Sequence, residues 1–545
     1  MKNRYILLVL SLLSVGQFSI LNPQFSIGTA CAQGVTVTGS VQSDMLVPNE
    51  DKATKFVKGD PENGYVDNFM TNTYADVALQ SKYVDAGLRF EFLEFPLPGY
   101  NNLANDFKGW GVPNIFVKGK LKQVEITAGS FYEQFGSGFI LRTYEERSLG
   151  IDNSLLGGRV VYTPYKGVRL KALSGLQRTY WKLKKNVITG ADVELNIDEW
   201  APKMQQSGTR LLIGGSWVNK FERKEFTLVP TDPNYRYNFP RFVNAFDVRA
   251  HMQRGGFSIL AEYAHKSQDP SKENYYNYNA GNVGMLSASY SKRGMSFLAQ
   301  AKRSKLMSFR SQRNVPGNCL AATVNHLPAF TMDHTYALAA LYPYATQPDG
   351  EWAYQASAAY TFKKKSALGG KYGMTTKLNF SHVHEGNTTY YQDINLQLER
   401  KLTKKFKLNF MYMHQRANMT VIKRESDIGM VNSNIFVLEG KHQFNRKHTL
   451  RFEGQFLHTP DDQKDWLYAL VEYSFMPHWM ITIADMYNVG ETNRHYYQGL
   501  VTYNIKSHRI QLGYVRNREG FNCSGGVCRR VPASRGVTLS YNYNF

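Results

Sequence analysis

Beyond its N-terminal segment, the chain alternates apolar and polar residues with a period of two, and the 3.6-residue period of amphipathic helices is nearly absent. Trp352, Tyr354, Ala356, Ala358, Tyr360 and Phe362 fall on one face of a predicted strand, with Gln355, Ser357, Thr361 and Lys363 on the other. The scheme recurs with Phe257, Ile259, Ala261 and Tyr263 against Ser258 and Glu262. It recurs again with Leu450, Phe452 and Phe456 against Arg451, Glu453 and Gln455, and with Leu467, Ala469, Val471, Tyr473 and Phe475 against Glu472 and Ser474. One such strand would also suit a soluble sandwich. Repetition along the whole chain, with no Pro/Ser-rich linker, predicts one structure built from strands that each meet lipid on one side and water on the other.

The connections alternate in length. Tight turns are predicted at 506–508, 476–478 and 445–447 and near Arg293, Gly255 and Lys166; longer loops at 518–534, 490–493, 459–464, 417–431, 305–349, 267–279 and 219–239. Short turns at one end and long loops at the other are the habit of outer-membrane barrels. The expected fold is therefore all-β, a single large antiparallel transmembrane β-barrel of about 24 strands, within roughly 18 to 26. Closure follows from hydrogen bonding, because an open edge in hydrocarbon leaves backbone groups without partners. An even number of strands puts both termini in the periplasm. The last strand carries Val537, Leu539, Tyr541, Tyr543 and Phe545 on one face and Thr538, Ser540, Asn542 and Asn544 on the other. A terminal aromatic on a closing strand resembles the signal read by the outer-membrane assembly machinery, which is thus an expected partner.

At the N-terminus Lys2 and Arg4 precede the apolar run from Tyr5 to Val15, and Ala30-Cys31-Ala32 follows. That order predicts a signal peptide over residues 1–32, cleaved before Gln33, and a barrel over 33–545. Cys31 could instead anchor a lipid, but Gly28 stands where a branched aliphatic would be expected. The apolar run is too short for a spanning helix, and no later run reaches about 18 residues.

Formal charge is 65 − 44 = +21, or 63 − 44 = +19 without Lys2 and Arg4. A basic chain raises the question of nucleic acid, but export and the lack of a recognisable module argue against it. Lipopolysaccharide, outer-membrane lipid, acidic partners or an anion-attracting lumen fit the surplus. Lys363-Lys364-Lys365, Lys404-Lys405 and Arg446-Lys447-His448 make the periplasmic turns basic, either as solvated caps or as docking points for an acidic periplasmic partner. Of three mature cysteines, Cys523 and Cys528 are spaced to close a small loop disulfide in an oxidising compartment, or to stand as two free thiols; Cys319 has no evident partner.

From Gly129 to Gly158 the alternation breaks, and glycines, aromatics and both charge signs mix. A loop of this kind on the outer side could fold into the lumen, bringing Glu133, Arg142, Glu145, Glu146, Arg147 and Asp152 against wall charges. Opposed carboxylates and guanidiniums across a narrowing would select solutes by charge. Alternatively the same charges pair with the wall and plug the barrel, or the stretch holds two further strands. Strand phases place Arg249, Lys302, Lys377, Lys407 and Arg451 on the lumen wall, with Asp247, Glu262, Glu399, Glu453 and Glu472. They either form salt-bridge ladders or give a modest anion preference.

The run FYEQFGSGFILRTYEERSLGIDNSLLGG, with the leader and Phe545, resembles a family of Bacteroidota outer-membrane proteins of unknown function. The resemblance implies a porin-like barrel, with a diffusion channel for polar or anionic solutes as the first expectation. Proteins of this general kind also imply, as an alternative, an accessory or scaffold component of a type IX-like secretion and surface-protein maturation system. No catalytic residues, cofactor or metal site are expected. His442 and His448 flank a turn at one rim while His458 ends a strand at the other, and no nucleophile-elbow, zinc-helix or phosphate-loop motif occurs.

Overall fold

The computed structural model describes residues 34–545 except 101–106, 224–226, 230–231, 316–319 and 424–427; the expected signal peptide and Cys319 lie outside the described residues. Twenty-four antiparallel strands, 8 to 15 residues long, pair each with its neighbours into one closed barrel. The seam joins Val35–Pro48 to Ser534–Asn544, in register from Ser40 opposite Asn544 to Pro48 opposite Gly536. Phe545 finishes it: its N–H donates to the Gly39 carbonyl and its carbonyl accepts from the Gly39 N–H, each at 3.0 Å. Its ring lies where a side chain on Gly39 would stand, so glycine is needed at that crossing.

Both ends of the described chain lie at the end of the barrel that carries the short turns. Outward positions are apolar and exposed along the middle of the wall, as at Val248, Leu286, Val471 and Ile483. Rings of aromatics and histidines flank that band, with His508 on Tyr543 and His448 on Phe475 at the short-turn end, and Tyr487 on His495 at the long-loop end. An apolar band between aromatic girdles is the outer surface that a bilayer requires of a barrel.

The inner face departs from the simple expectation of polar-in, apolar-out. Toward the long-loop end Val383, Met411, Met413, Ile435, Val437, Leu457 and Trp466 face inward and are buried. On the opposite wall Leu173, Ile188, Val218, Val243 and Val283 do the same. These positions would be costly against water. They are covered by chain from the loops.

Within 129–158 the only further strands are the two-residue pairs Glu145–Glu146 and Ile151–Asp152, which bond to each other and add nothing to the wall. The 518–534 region holds an extra hairpin, Gly520–Ser524 with Val527–Val531, outside the barrel sheet.

Candidate functional site

Two loops enter the lumen, where the sequence suggested one. The first, residues 132–154, presents Phe135, Phe139, Ile140 and Leu141 to the inward apolar wall of the N-terminal half, and all four are fully buried. The second, described over residues 306–315 and 320–349, adds Met307, Phe309 and Val324 to that same wall and presents Phe330, Leu338, Leu341, Tyr342 and Tyr344 to the wall of the C-terminal half. They meet in the middle: the Arg142 N–H donates to the Val324 carbonyl (2.8 Å), the Asn325 amide to the Phe139 carbonyl (3.0 Å), and the His326 N–H to the Gly138 carbonyl (2.9 Å).

The first lobe is pinned by ions. Arg89, on the strand Val84–Phe95, reaches Asp76 (2.7 Å), Glu145 (2.8 Å) and Asp152 (3.1 Å). Arg178, on Val168–Thr179, grips Glu91 with two nitrogens (3.0 and 2.6 Å) and Asp152 at 2.5 Å. Arg147 reaches back to Asp76 (2.7 Å) and lies 4.4 Å over the Tyr74 ring. Glu133 pairs with Arg159 and with Lys171. At the lobe tip the Ser137 N–H and hydroxyl both donate to Glu262, and Gly136 turns with φ +52 where a side chain would strike the Glu262 carboxylate.

Of the six loop residues singled out from sequence, Glu133, Glu145, Arg147 and Asp152 therefore meet wall charges. Arg142 instead lies over the Tyr144 ring, at 4.7 Å, and Glu146 accepts from the Ser148 N–H, capping a short turn. The wall residues also largely have partners. Arg249 contacts Asp192 (2.6 Å), Asp247 (3.0 Å) and Glu194 (3.1 Å). Lys302 pairs with Glu351 (2.8 Å) and donates to the Pro328 carbonyl of the second lobe (2.5 Å). Arg451 pairs with Glu439 and Glu453, and Lys407 with Glu399 (2.8 Å). Glu472 is half-buried, while Lys377 is exposed below the lobes, toward the short-turn end.

Sequence reasoning missed the second lobe and its anchors. His334 contacts Asp393 (3.1 Å), the Tyr336 hydroxyl donates to Glu439 (2.8 Å), Gln455 accepts from the Leu338 N–H (2.8 Å), and the Tyr342 hydroxyl donates to Asp462 (3.0 Å). Buried Lys220 holds Asp269 at 2.7 Å beside the loop's start. The covered wall positions were the available signal. From Arg89 through both lobes to Asp393 and Gln455, bonded chain crosses the lumen from wall to wall.

Cys523 and Cys528 face each other in their hairpin and their sulfurs are bonded. That hairpin lies across both lobes. The Gly526 carbonyl accepts from Thr346, while Asn522 and Arg529 both donate to the Ser148 carbonyl at 3.0 Å.

Titration links the lobes to pH. Burial pushes His326 down to about 3, with Arg142 and Lys302 adding to the effect, and its ring packs edge-on to Tyr144. Burial would raise Asp152, but Arg178 and Arg89 outweigh it and hold that carboxyl below the usual range. Burial raises Glu145 despite Arg89 and Arg147. The seated His326 is neutral, so a released loop, whose histidine titrates near its ordinary value of about 6.5, gains protons first as pH falls. Seating is thus weakened from about pH 6.5 downward, and the Asp152 contribution is lost only at still lower pH. Glu145 acts in the opposite sense. Proteolysis of the 320–349 segment, which carries His326, is expected to rise several-fold between pH 7 and 5, and His326→Gln is expected to flatten that rise; a pH-independent rate in the parent chain would count against it.

The fold and its lumen define a transmembrane β-barrel crossed by its own loops. The chain belongs to the family DUF6029, described as a family of unknown function, whose pattern matches residues 1–545. No curated protein matches it. Among solved structures it is similar to the translocation pore of the P pilus usher PapC, at 10% identity and a TM-score of 0.45, with 93% of this chain and 100% of that one covered. It is also similar to OccAB3 of Acinetobacter baumannii (9%, 0.34, 94% and 99%) and the siderophore receptor PirA of Pseudomonas aeruginosa (8%, 0.41, 93% and 80%).

Proposed function

We propose that this protein is a gated channel of the bacterial outer membrane, with the short turns and both termini in the periplasm and a resting state closed by its two-lobed plug. The wall-to-wall chain of contacts through residues 132–154 and 306–349 is the observation that carries this reading. Polar solutes would pass when a lobe leaves. The wall charges are mostly paired, so the anion preference weighed from sequence would be weak. The closing strand ending at Phe545 would be read by the assembly machinery, and the outer surface would meet lipid and lipopolysaccharide.

The same filled lumen also favours a second reading, a scaffold or accessory barrel in secretion and surface-protein maturation that never opens. Liposome swelling separates the two. The channel reading expects slow entry of a neutral trisaccharide through the intact protein and rapid entry once 133–152 is removed. A scaffold would admit no sugar while intact and co-purify with secretion components.

A further inference from the structure

At the short-turn end, the connections between strands are unusual in charge. Among the described residues, only the 197–208 connection, with Asp198 and Glu199, carries acidic side chains there. Three successive turns hold the densest cations: residues 363–373 carry Lys363, Lys364, Lys365 and Lys371, residues 402–405 carry Lys404 and Lys405, and residues 444–447 carry Arg446 and Lys447. The loops of the other end mix both signs, as in 49–69 and 459–465.

These turns join into one shelf. Arg400 lies against Gly370 of the first turn, and the Lys405 ammonium donates to the Phe444 carbonyl of the third (2.8 Å). The lysines are exposed, and apolar side chains stand among them: Leu368 is 57% exposed, Leu402 46% and Phe444 45%. Outward rings begin immediately above, with Phe444 on His442 and Phe406 beside it. Cations set at the edge of an aromatic girdle, with apolar residues projecting between them, suit a plane where phosphates and acyl chains meet. An acidic protein docking in water would have no use for the projecting Leu368 and Leu402.

We propose that this shelf binds the headgroups of anionic phospholipids in the leaflet at the short-turn end of the barrel. The site requires the barrel to span a membrane but does not depend on whether the plug opens. Each cation near such a surface contributes modestly, and several acting together give a large preference.

Native mass spectrometry of the full chain, titrated with dioleoyl phosphatidylglycerol or dioleoyl phosphatidylcholine, tests it. The parent chain is expected to retain phosphatidylglycerol preferentially. K363Q/K364Q/K365Q/R446Q/K447Q is expected to lose that preference by about tenfold or more. Arginine at the same four lysines keeps it, as does K52Q/K55Q/K58Q at the opposite rim. Heat-modifiable gel mobility checks that each barrel has closed, and the arginine and opposite-rim chains carry the comparison if the glutamine variant does not fold. Equal retention of both lipids by the parent, or equal losses in the shelf and opposite-rim variants, would overturn the proposal. An unchanged lipid preference, with loss only of a co-purifying acidic protein, would make the shelf a protein dock instead.

Discussion

Replacing Arg178 with methionine is expected to release the first lobe. The guanidinium holds Glu91 with two bonds and Asp152 with a third, and it donates a fourth to the Tyr180 carbonyl (2.6 Å). Methionine keeps much of the volume and none of these bonds. Removing one member of a buried ion network leaves its partners desolvated without compensation, typically a loss of about 3–5 kcal/mol. Arg89 remains 3.1 Å from Asp152 and 3.7 Å from Glu91, which places the expected loss near the lower end, about 3 kcal/mol. At about 1.4 kcal/mol per factor of ten, the unseated population rises about a hundredfold. Amide exchange across 133–152 is the measurement, and it should quicken by that order while the barrel strands keep their protection. Adding Asp152→Asn to the variant removes one stranded charge and is expected to recover part of the protection. Unchanged exchange would mean that the lobe is held by its phenylalanines alone.

Much of this architecture was legible in the sequence, because lipid imposes it residue by residue. A strand with lipid on one side must alternate, so Phe257 to Tyr263 and Leu467 to Phe475 announced themselves, and turn lengths supplied the strand number. The first lobe was visible because the stretch from Gly129 to Gly158 could not belong to such a strand. The second lobe was hidden by a misreading of the wall. In Phe410-Met411-Tyr412-Met413 and Ile435-Phe436-Val437-Leu438 both faces are apolar, which a water-filled lumen does not permit; Met411, Met413, Ile435 and Val437 were the mark of a plug.

The ion partners were not legible. Arg89 and Asp152 are 63 residues apart and Arg178 and Glu91 are 87 apart, so only the barrel's register and the path of the loop bring them together. For the same reason Arg249, Lys302 and Arg451 could be placed on the inner wall from strand phase, while their carboxylate partners could not be assigned. Cys523 and Cys528 needed only a local hairpin.

The largest effect is expected from removing both lobes. Neither deletion alone clears the lumen, since residues 132–154 share the first half of the wall with Met307, Phe309 and Val324 of the second lobe, while Phe330 to Tyr344 cover the other half. Replacing 133–152 by a short Gly-Ser linker should open part of the first half, and replacing 309–345 should open the second half and uncover the rest of the first. Without both, a 24-strand barrel encloses a channel wider than that of the smaller porins. Single-channel recording in planar bilayers, comparing the intact chain, each deletion and the two together, tests the plug most directly. The structure predicts a closed or rarely opening intact protein, intermediate steps for each single deletion and steady steps at least about tenfold larger for the double, with lumen width setting the scale. Steady conductance of the intact protein, equal to that of the double deletion, would contradict it.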